Sequence, residues 1–562
     1  MPLSWEEACA QVSGPGSPFE IVEAEVLGHS SRVYRHAPPN LRVVFQAAKG
    51  HGDRPFVVYE DERWTFTEVM SHVDALAHAL VHRYGVGKGD RVAIGMRNYP
   101  EWVISFAAIT SIGAISVSLN ALWTGDELDY AIRDSEPKVL IADAERITRS
   151  ARSCAEYGVQ VIAVRCDAPE GTDAWADVVV PGNPLPDVEV LPDDDATILY
   201  TSGTTGHPKG AVSTHRAVVN AVMGFASRTA IEALRVDAPA TPPAAAVPPS
   251  FILIVPLFHV TGCIPVMMSC FAGGLKLVIM YKWDVDQALA VIEREQITNF
   301  VGVPTQAWDL INSPRFAEFD TSSLRSMGGG GAPAPPALVS KVASGLGKSG
   351  GVPQLGYGMT ETNALGPGNM GQDYVSHPTS TGRAVPICRI EIRDGDGNPL
   401  PVGERGDIWF QGPNLIRGYW GRPDATAETI VDGWLCSGDI GRVDDEGFLY
   451  IEDRAKDMIL RGGENVYCAE VEAAIYEHPA IHEAAVYGVP DQRLGEQVGV
   501  SIVVRADHEL NAEQLRSFLS ERIAQFKIPH YVSFSEEPLP RNAAGKFLKR
   551  DLRDAFVAGL AN

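Results

Sequence analysis

A chain of 562 residues is too long for one hydrophobic core, since such cores stop growing at roughly 250–300 residues, so at least two domains are expected. With 45% hydrophobic and 21% charged residues it is not a largely disordered chain. Its formal charge of −24 disfavours a nucleic-acid partner, but a local glycine-rich or cationic pocket can still hold a nucleotide.

The eight cysteines form no CxxC pair and lack zinc-ligand spacing, which reads as free thiols in a reducing cytoplasm. The opening MPLSWEEACAQ has no apolar run of the kind a secretory signal needs. No stretch reaches the ~18 apolar residues of a membrane-spanning helix, so none is expected; peripheral contact with a membrane stays open.

Residues 1–50 are mixed and give little information. From Phe56 onward, short β-branched or apolar runs alternate with helical patterns. The runs are Phe56–Tyr59, Arg91–Ile94, Ala114–Leu119, Val139–Ala142 and Val159–Val164; the helical stretches include Thr67–His82 and Thr124–Ser135, the latter with Asp126 and Glu127 at its start. This alternation predicts βα units on a mainly parallel sheet. A Pro/Ala-rich stretch at 236–250 reads as an extended surface loop. The rhythm resumes at Phe251–Pro256, Leu275–Met280 and Asn299–Val303. Ile390–Gln411, with Asp-Gly and Asn-Pro turns, predicts a small antiparallel sheet or barrel. After Asp453 the texture changes again: a helix at Ala469–Glu477, strands at Glu483–Gly488 and Val498–Arg505, a helix at Ala512–Ala524, then a lysine-rich tail. A boundary near 453–457 is expected, giving units 1–453 and 454–562.

Four segments carry chemistry. The strand ATILY runs into Thr201-Ser202-Gly203-Thr204-Thr205-Gly206-His207-Pro208-Lys209. Glycines let backbone N–H groups approach a phosphate, hydroxyls add donors and the lysine adds a cation; this is not a Walker loop, because GxxxxGK[ST] is absent. Gly356-Tyr357-Gly358-Met359-Thr360-Glu361 combines a ring able to stack on a base, a hydroxyl for a phosphate and a carboxylate for Mg²⁺. Asp439, after a glycine turn, suits a ribose diol. Pro540–Arg550 is a basic segment, which by composition alone reads as a solvated tail.

TSGTTGHPKG resembles the phosphate loop of the adenylate-forming superfamily, and the resemblance continues in order along most of the chain. It implies an α/β multi-subdomain N-terminal domain, with two βα-type subdomains plus a small β-barrel, and a small mobile α+β C-terminal domain. The implied activity is acyl-CoA synthesis from a carboxylic acid, ATP and coenzyme A through an acyl-adenylate, with Mg²⁺.

The resemblance implies the site roles residue by residue. Tyr357 packs on adenine beside Gly331, Ala332 and Pro333; Thr360 contacts the α-phosphate; Glu361 and Thr205 serve the metal; Asp439 holds the ribose, and Arg454 contacts the ribose or phosphate. Lys546, in Pro-Arg-Asn-Ala-Ala-Gly-Lys, is the catalytic lysine, and Lys456 is the hinge. Gly462, Gly463 and Glu464 belong to a loop that swings in for the thioester step. In Pro256–Gly262, His259 lies between the acyl pocket and the phosphate, with Val260, Gly262 and Cys263 lining the pocket. No Asp for a substrate ammonium is present there, so a simple uncharged acyl group is expected, and the small residues near His259 suggest an open tunnel. A fatty acid leads; aryl and sterol acids, a luciferase-like oxygenase, a carrier-protein acceptor and a nucleotide-binding pseudoenzyme are the alternatives. A homodimer is suggested by the family alone.

Overall fold

The computed structural model describes residues 2–201, 208–236, 247–331, 336–346, 351–454, 457–461, 464–491, 493–506, 508–541 and 546–560. Two eight-stranded sheets dominate it. The first runs, edge to edge, Gly418–Tyr419, Lys209–Thr214, Asp195–Thr201, Ile115–Ser118, Arg91–Gly95, Val139–Asp143, Gln160–Val164 and Asp173–Ala174. Its interior is parallel, and Lys209–Thr214 is antiparallel to both of its neighbours. The second runs Gly368–Met370, Val352–Gly356, Ser326–Gly330, Asn299–Gly302, Ser250–Leu253, Lys276–Ile279, Pro55–Tyr59 and Glu62–Thr65, parallel except at its two edges.

Several interior strands of these sheets are buried on both faces. Every residue of Val139–Asp143 is buried, as are Phe56 to Tyr59, and continuous apolar runs are what such strands require. Helix Gly125–Ser135 starts where its acidic residues placed it. Thr124 accepts from the Glu127 N–H, and Glu127 Oε2 accepts from the Thr124 N–H at 2.8 Å, a reciprocal cap. The same arrangement joins Thr65 and Glu68 at the start of Phe66–His82.

A smaller antiparallel sheet holds Arg389–Arg393, Gly406–Gln411, Trp434–Val443 and Ile430–Val431, with Leu449–Arg454 on the long strand. Beyond it, Ile459–Arg461, Glu464–Val466, Ile481–Asp491, Gly495–Val504 and Tyr531–Ser535 form a further sheet. It carries its own apolar cluster around Val471, Ile475, Val486, Val500 and Leu515.

Three segments depart from expectation. Residues 1–50 hold a helix at Trp5–Ser13, a hairpin of Ile21–Val26 with His29–Tyr34, and a helix at Leu41–Ala48, all too short for a periodicity to emerge. The helix expected over Ala512–Ala524 stops at Ser520. The lysine-rich tail is not a solvated tail throughout: Lys549–Leu560 is helical, and Lys549 pairs with Glu472 at 2.8 Å. Among the described residues no helix is long and apolar enough to cross a membrane. Most of the Pro/Ala-rich loop, residues 237–246, lies outside the described residues.

Candidate active site

Hydrogen bonds join candidate site residues carried by the first sheet, the second sheet and the small antiparallel sheet: Tyr419 to Glu361 and Tyr357 to Asp439. Strand Asp195–Thr201 is buried along its middle, and Tyr200 anchors it by donating to Asp134 Oδ2 at 2.9 Å. Its end pairs with the start of the next strand, Thr201 opposite Lys209, and the Thr201 hydroxyl donates to the Lys209 carbonyl at 3.4 Å. The two ends of the glycine loop are thereby fixed side by side, and the Tyr130 hydroxyl adds a bond to the Pro208 carbonyl at 3.1 Å. Ser202, Gly203, Thr204, Thr205 and Gly206 lie outside the described residues.

Strand Val352–Gly356 delivers the second segment. Gly356 is in register with Gly330, so Gly331 and Tyr357 emerge side by side. Among the described residues, a Cβ on Gly356 would meet only the Gly329 carbonyl, at 4.0 Å, and one on Gly331 would meet no atom within 4 Å. Gly331 also takes φ +83°, which side-chain-bearing residues rarely adopt. Ala332 and Pro333 lie outside the described residues. The Tyr357 hydroxyl donates to Asp439 Oδ2 at 2.5 Å, across 82 positions of sequence. Asp439 is buried on strand Trp434–Val443, where its register partner is Arg454. An aromatic ring, a diol-accepting carboxylate and an arginine position therefore share one corner, which fits an adenosine.

After Gly358 and Met359, Thr360–Thr362 make a single tight turn, and the Met359 N–H donates to Thr362 Oγ1 at 3.1 Å. A buried polar network clamps this turn. Ser213 donates to Asn363 Oδ1 at 3.0 Å, Asn363 donates to the Asn414 carbonyl at 2.9 Å, and the Asn414 amide donates to the Thr362 and Leu365 carbonyls at 2.8 and 3.2 Å. Buried networks of this kind hold when their members are bonded to one another.

Glu361 is fastened at both ends: its carbonyl accepts from the Ile416 N–H at 2.9 Å, and its Oε1 accepts from the Tyr419 hydroxyl at 2.8 Å. Burial and the adjoining Glu361 carboxylate push the Tyr419 hydroxyl far above its usual pKa, so it stays protonated as a donor. The Lys209 Nζ lies 5.1 Å from the centre of the Tyr419 ring. Glu361 offers one carboxylate oxygen held in place by a phenol, a donor set that suits Mg²⁺ bound by one or two carboxylates plus substrate phosphates.

The third segment is a turn. Asn98, buried, accepts from the Leu257 N–H at 2.8 Å and donates to the Val255 carbonyl at 3.1 Å, pinning Pro256–Phe258 from a distant strand end. The His259 N–H donates to the Pro256 carbonyl at 3.1 Å, and half-buried His259 leads through Val260 into a widened π-type helical turn, Gly262–Met268. A Cβ on Gly262 would sit 2.4 Å from the Pro256 carbonyl oxygen. Its small size is thus demanded by the turn itself, a packing reason separate from any tunnel. Cys263 is fully buried, and burial pushes its thiol far above its usual pKa, which favours the neutral thiol.

On the last unit, Lys546 is half-buried, next to Phe547, which bridges to Arg541. Arg541 pairs with Glu483 at 2.8 Å. Glu464 is the register partner of Arg461, and Gly462 and Gly463 between them lie outside the described residues, as does Lys456. Tyr419, Asn98, Asn414 and Tyr130 were not singled out from sequence. Each acts on a residue far along the chain, so no local spacing marks it.

Residues 44–420 match the family described as AMP-binding enzyme, and residues 470–546 match the AMP-binding enzyme C-terminal domain. A feruloyl-CoA synthase from an Amycolatopsis species is 36% identical over 88% of this chain and 94% of its own. The long-chain-fatty-acid–CoA ligase FadD13 of Mycobacterium tuberculosis is 34% identical over 89% of this chain and 94% of its own. Among solved structures, ATP-bound MatB from Rhodopseudomonas palustris superposes with a TM-score of 0.80 at 29% identity, covering 92% of this chain and 99% of its own.

Proposed function

The chain belongs to the AMP-binding enzyme family and is an AMP-forming acid–CoA ligase using ATP, Mg²⁺ and coenzyme A; from there we propose that its acid is a fatty acid, activated at the corner that joins Tyr357, Asp439, Glu361 and Lys209. The carrying observation is that convergence, because residues from three separate segments supply an adenosine seat and a charged pair in one place.

In the proposed arrangement the loop from Thr201 to Lys209 wraps the phosphates, and Tyr357 covers adenine against Gly331–Pro333. Asp439 and Arg454 take the ribose, and Thr360 meets the α-phosphate. Glu361 and Thr205 would hold Mg²⁺, which would offset phosphate charge. A carboxylate oxygen of the acid attacks the α-phosphorus, the bond to pyrophosphate breaks, and an acyl-adenylate forms. Lys546 lies between the two anions in this step. Units 1–453 and 454–562 act as the two working domains; the second turns about Lys456, withdraws Lys546 and brings Gly462–Glu464 to the thioester step. The CoA thiol then attacks the acyl carbon and AMP leaves.

The acid is proposed as fatty because Val260 and Cys263 beside His259 are buried and apolar, and no carboxylate stands there to hold an ammonium group. An aryl acid is the second reading, favoured by the 36% identity to a feruloyl-CoA synthase. The test is AMP release with ATP, Mg²⁺ and CoA across straight-chain acids of graded length, with ferulate, benzoate and a sterol acid alongside. Lys546→Ala should slow adenylation by about 10²–10³-fold, the usual cost of one preorganised charge contact. Preference for ferulate or benzoate selects the aryl reading; no CoA-dependent AMP from any acid defeats both.

A further inference from the structure

We propose that Tyr419 is a positioning residue for the metal–nucleotide step, its hydroxyl orienting the Glu361 carboxylate and its ring seating Lys209, so that the metal carboxylate and the loop cation are both placed by one side chain. This rests on the nucleotide site proposed above and adds to it a residue outside every motif that defines that site.

The geometry is specific. Tyr419 lies on the edge strand Gly418–Tyr419, opposite Ala211, on the strand that begins at Lys209. Its hydroxyl reaches Glu361 Oε1 at 2.8 Å, while the backbone of the same segment, through the Ile416 N–H, takes the Glu361 carbonyl at 2.9 Å. Its own N–H donates to Thr426 Oγ1 at 2.9 Å, which fixes the strand end. Lys209 Nζ sits 5.1 Å from its ring centre, within the range where a cation is drawn to an aromatic face.

A lysine and a glutamate this close to a common partner would otherwise be drawn to pair directly. Such a pair would cancel the charge each must offer, the lysine to phosphate and the carboxylate to a divalent cation. The phenol hydroxyl gives the carboxylate a neutral donor and the ring gives the ammonium a π face, neither of which carries a charge of its own. Groups that orient a metal-binding carboxylate in this way commonly carry about 10–100-fold in metal affinity.

The experiment is calorimetric binding of a non-hydrolysable ATP analogue at graded Mg²⁺ to wild type, Tyr419→Phe, Glu361→Gln and the double variant. Tyr419→Phe, which keeps the ring, should raise the Mg²⁺ needed for half-maximal binding about tenfold or more, and add nothing in the Glu361→Gln background. Tyr419→His, which keeps a donor, should fall between, and serves as the test should the phenylalanine variant melt early. An unchanged Mg²⁺ requirement in Tyr419→Phe, or an equal loss in both backgrounds, overturns the proposal. Wild type that binds no nucleotide at any Mg²⁺ concentration would instead overturn the nucleotide site itself.

Discussion

The proposed nucleotide side, around Thr360–Leu365, and the proposed acyl side, around Pro256–Cys263, are built on different plans. On the proposed nucleotide side the turn is tied by side chains: Ser213, Asn414 and Tyr419 hold Thr360–Leu365 through hydrogen bonds from distant segments, with Asn363 as the bonding member inside it. On the acyl side, one buried asparagine, Asn98, pins the turn before His259, and close backbone packing does the rest. Polar networks fix direction, which charge stabilisation needs, whereas an apolar pocket needs shape alone. A scaffold divided this way can keep one nucleotide chemistry while its acid changes.

The largest expected effect separates the sides by pH. His215 opens the helix that follows the nucleotide-side strand and is buried, its Nδ1 accepting from the Leu41 N–H at 3.2 Å. Burial pushes it down to about 4, outweighing the upward pull of Asp194 and joined by repulsion from Lys88. Its folded pKa lies below the unfolded value of about 6.5, so only the unfolded chain gains the proton between those values. Stability is full above about pH 6.5, falls as pH drops, and levels off below about pH 4, with a loss on the order of 3 kcal/mol. Urea unfolding of wild type and His215→Gln at pH 7 and 5 measures it; a parallel decline in both would assign the effect elsewhere.

Two substitutions of intermediate size then test the division directly. Gly262→Ala forces a methyl against the Pro256 carbonyl and should cost about 1–3 kcal/mol, raising KM for the acid while sparing that for ATP. Asn414→Ala strips two buried carbonyls of their donor, should cost about 1–3 kcal/mol, and should raise KM for ATP more than for the acid. If both variants shift both constants alike, the two sides are one mechanical unit and the comparison fails. The smallest effect is the control: Thr124→Ala removes a remote helix cap and should cost about 1 kcal/mol in thermal unfolding, with neither KM altered.

Much of this molecule was legible in its residues because the information is local. Alternating apolar runs mark strands that bury both faces, and the Thr124–Glu127 pair marks a helix start four residues long. The glycine loop, the Tyr357–Glu361 turn and Asp439 stand in contiguous motifs whose chemistry can be read by eye. Short elements below residue 50 gave no periodicity, and the terminal helix was hidden by its charge.

Only the tertiary structure decided which of these segments meet. Tyr419 finds Glu361 58 positions away, and Asn98 finds Leu257 159 positions away. It also gave Gly262 its reason, since a carbonyl 2.4 Å from an absent Cβ exists only once the turn is folded. Local patterns encode what a segment can be, because dihedral preference and burial act on neighbours in sequence. Partnership between segments depends on sheet register, and register is set by the packing of the whole chain.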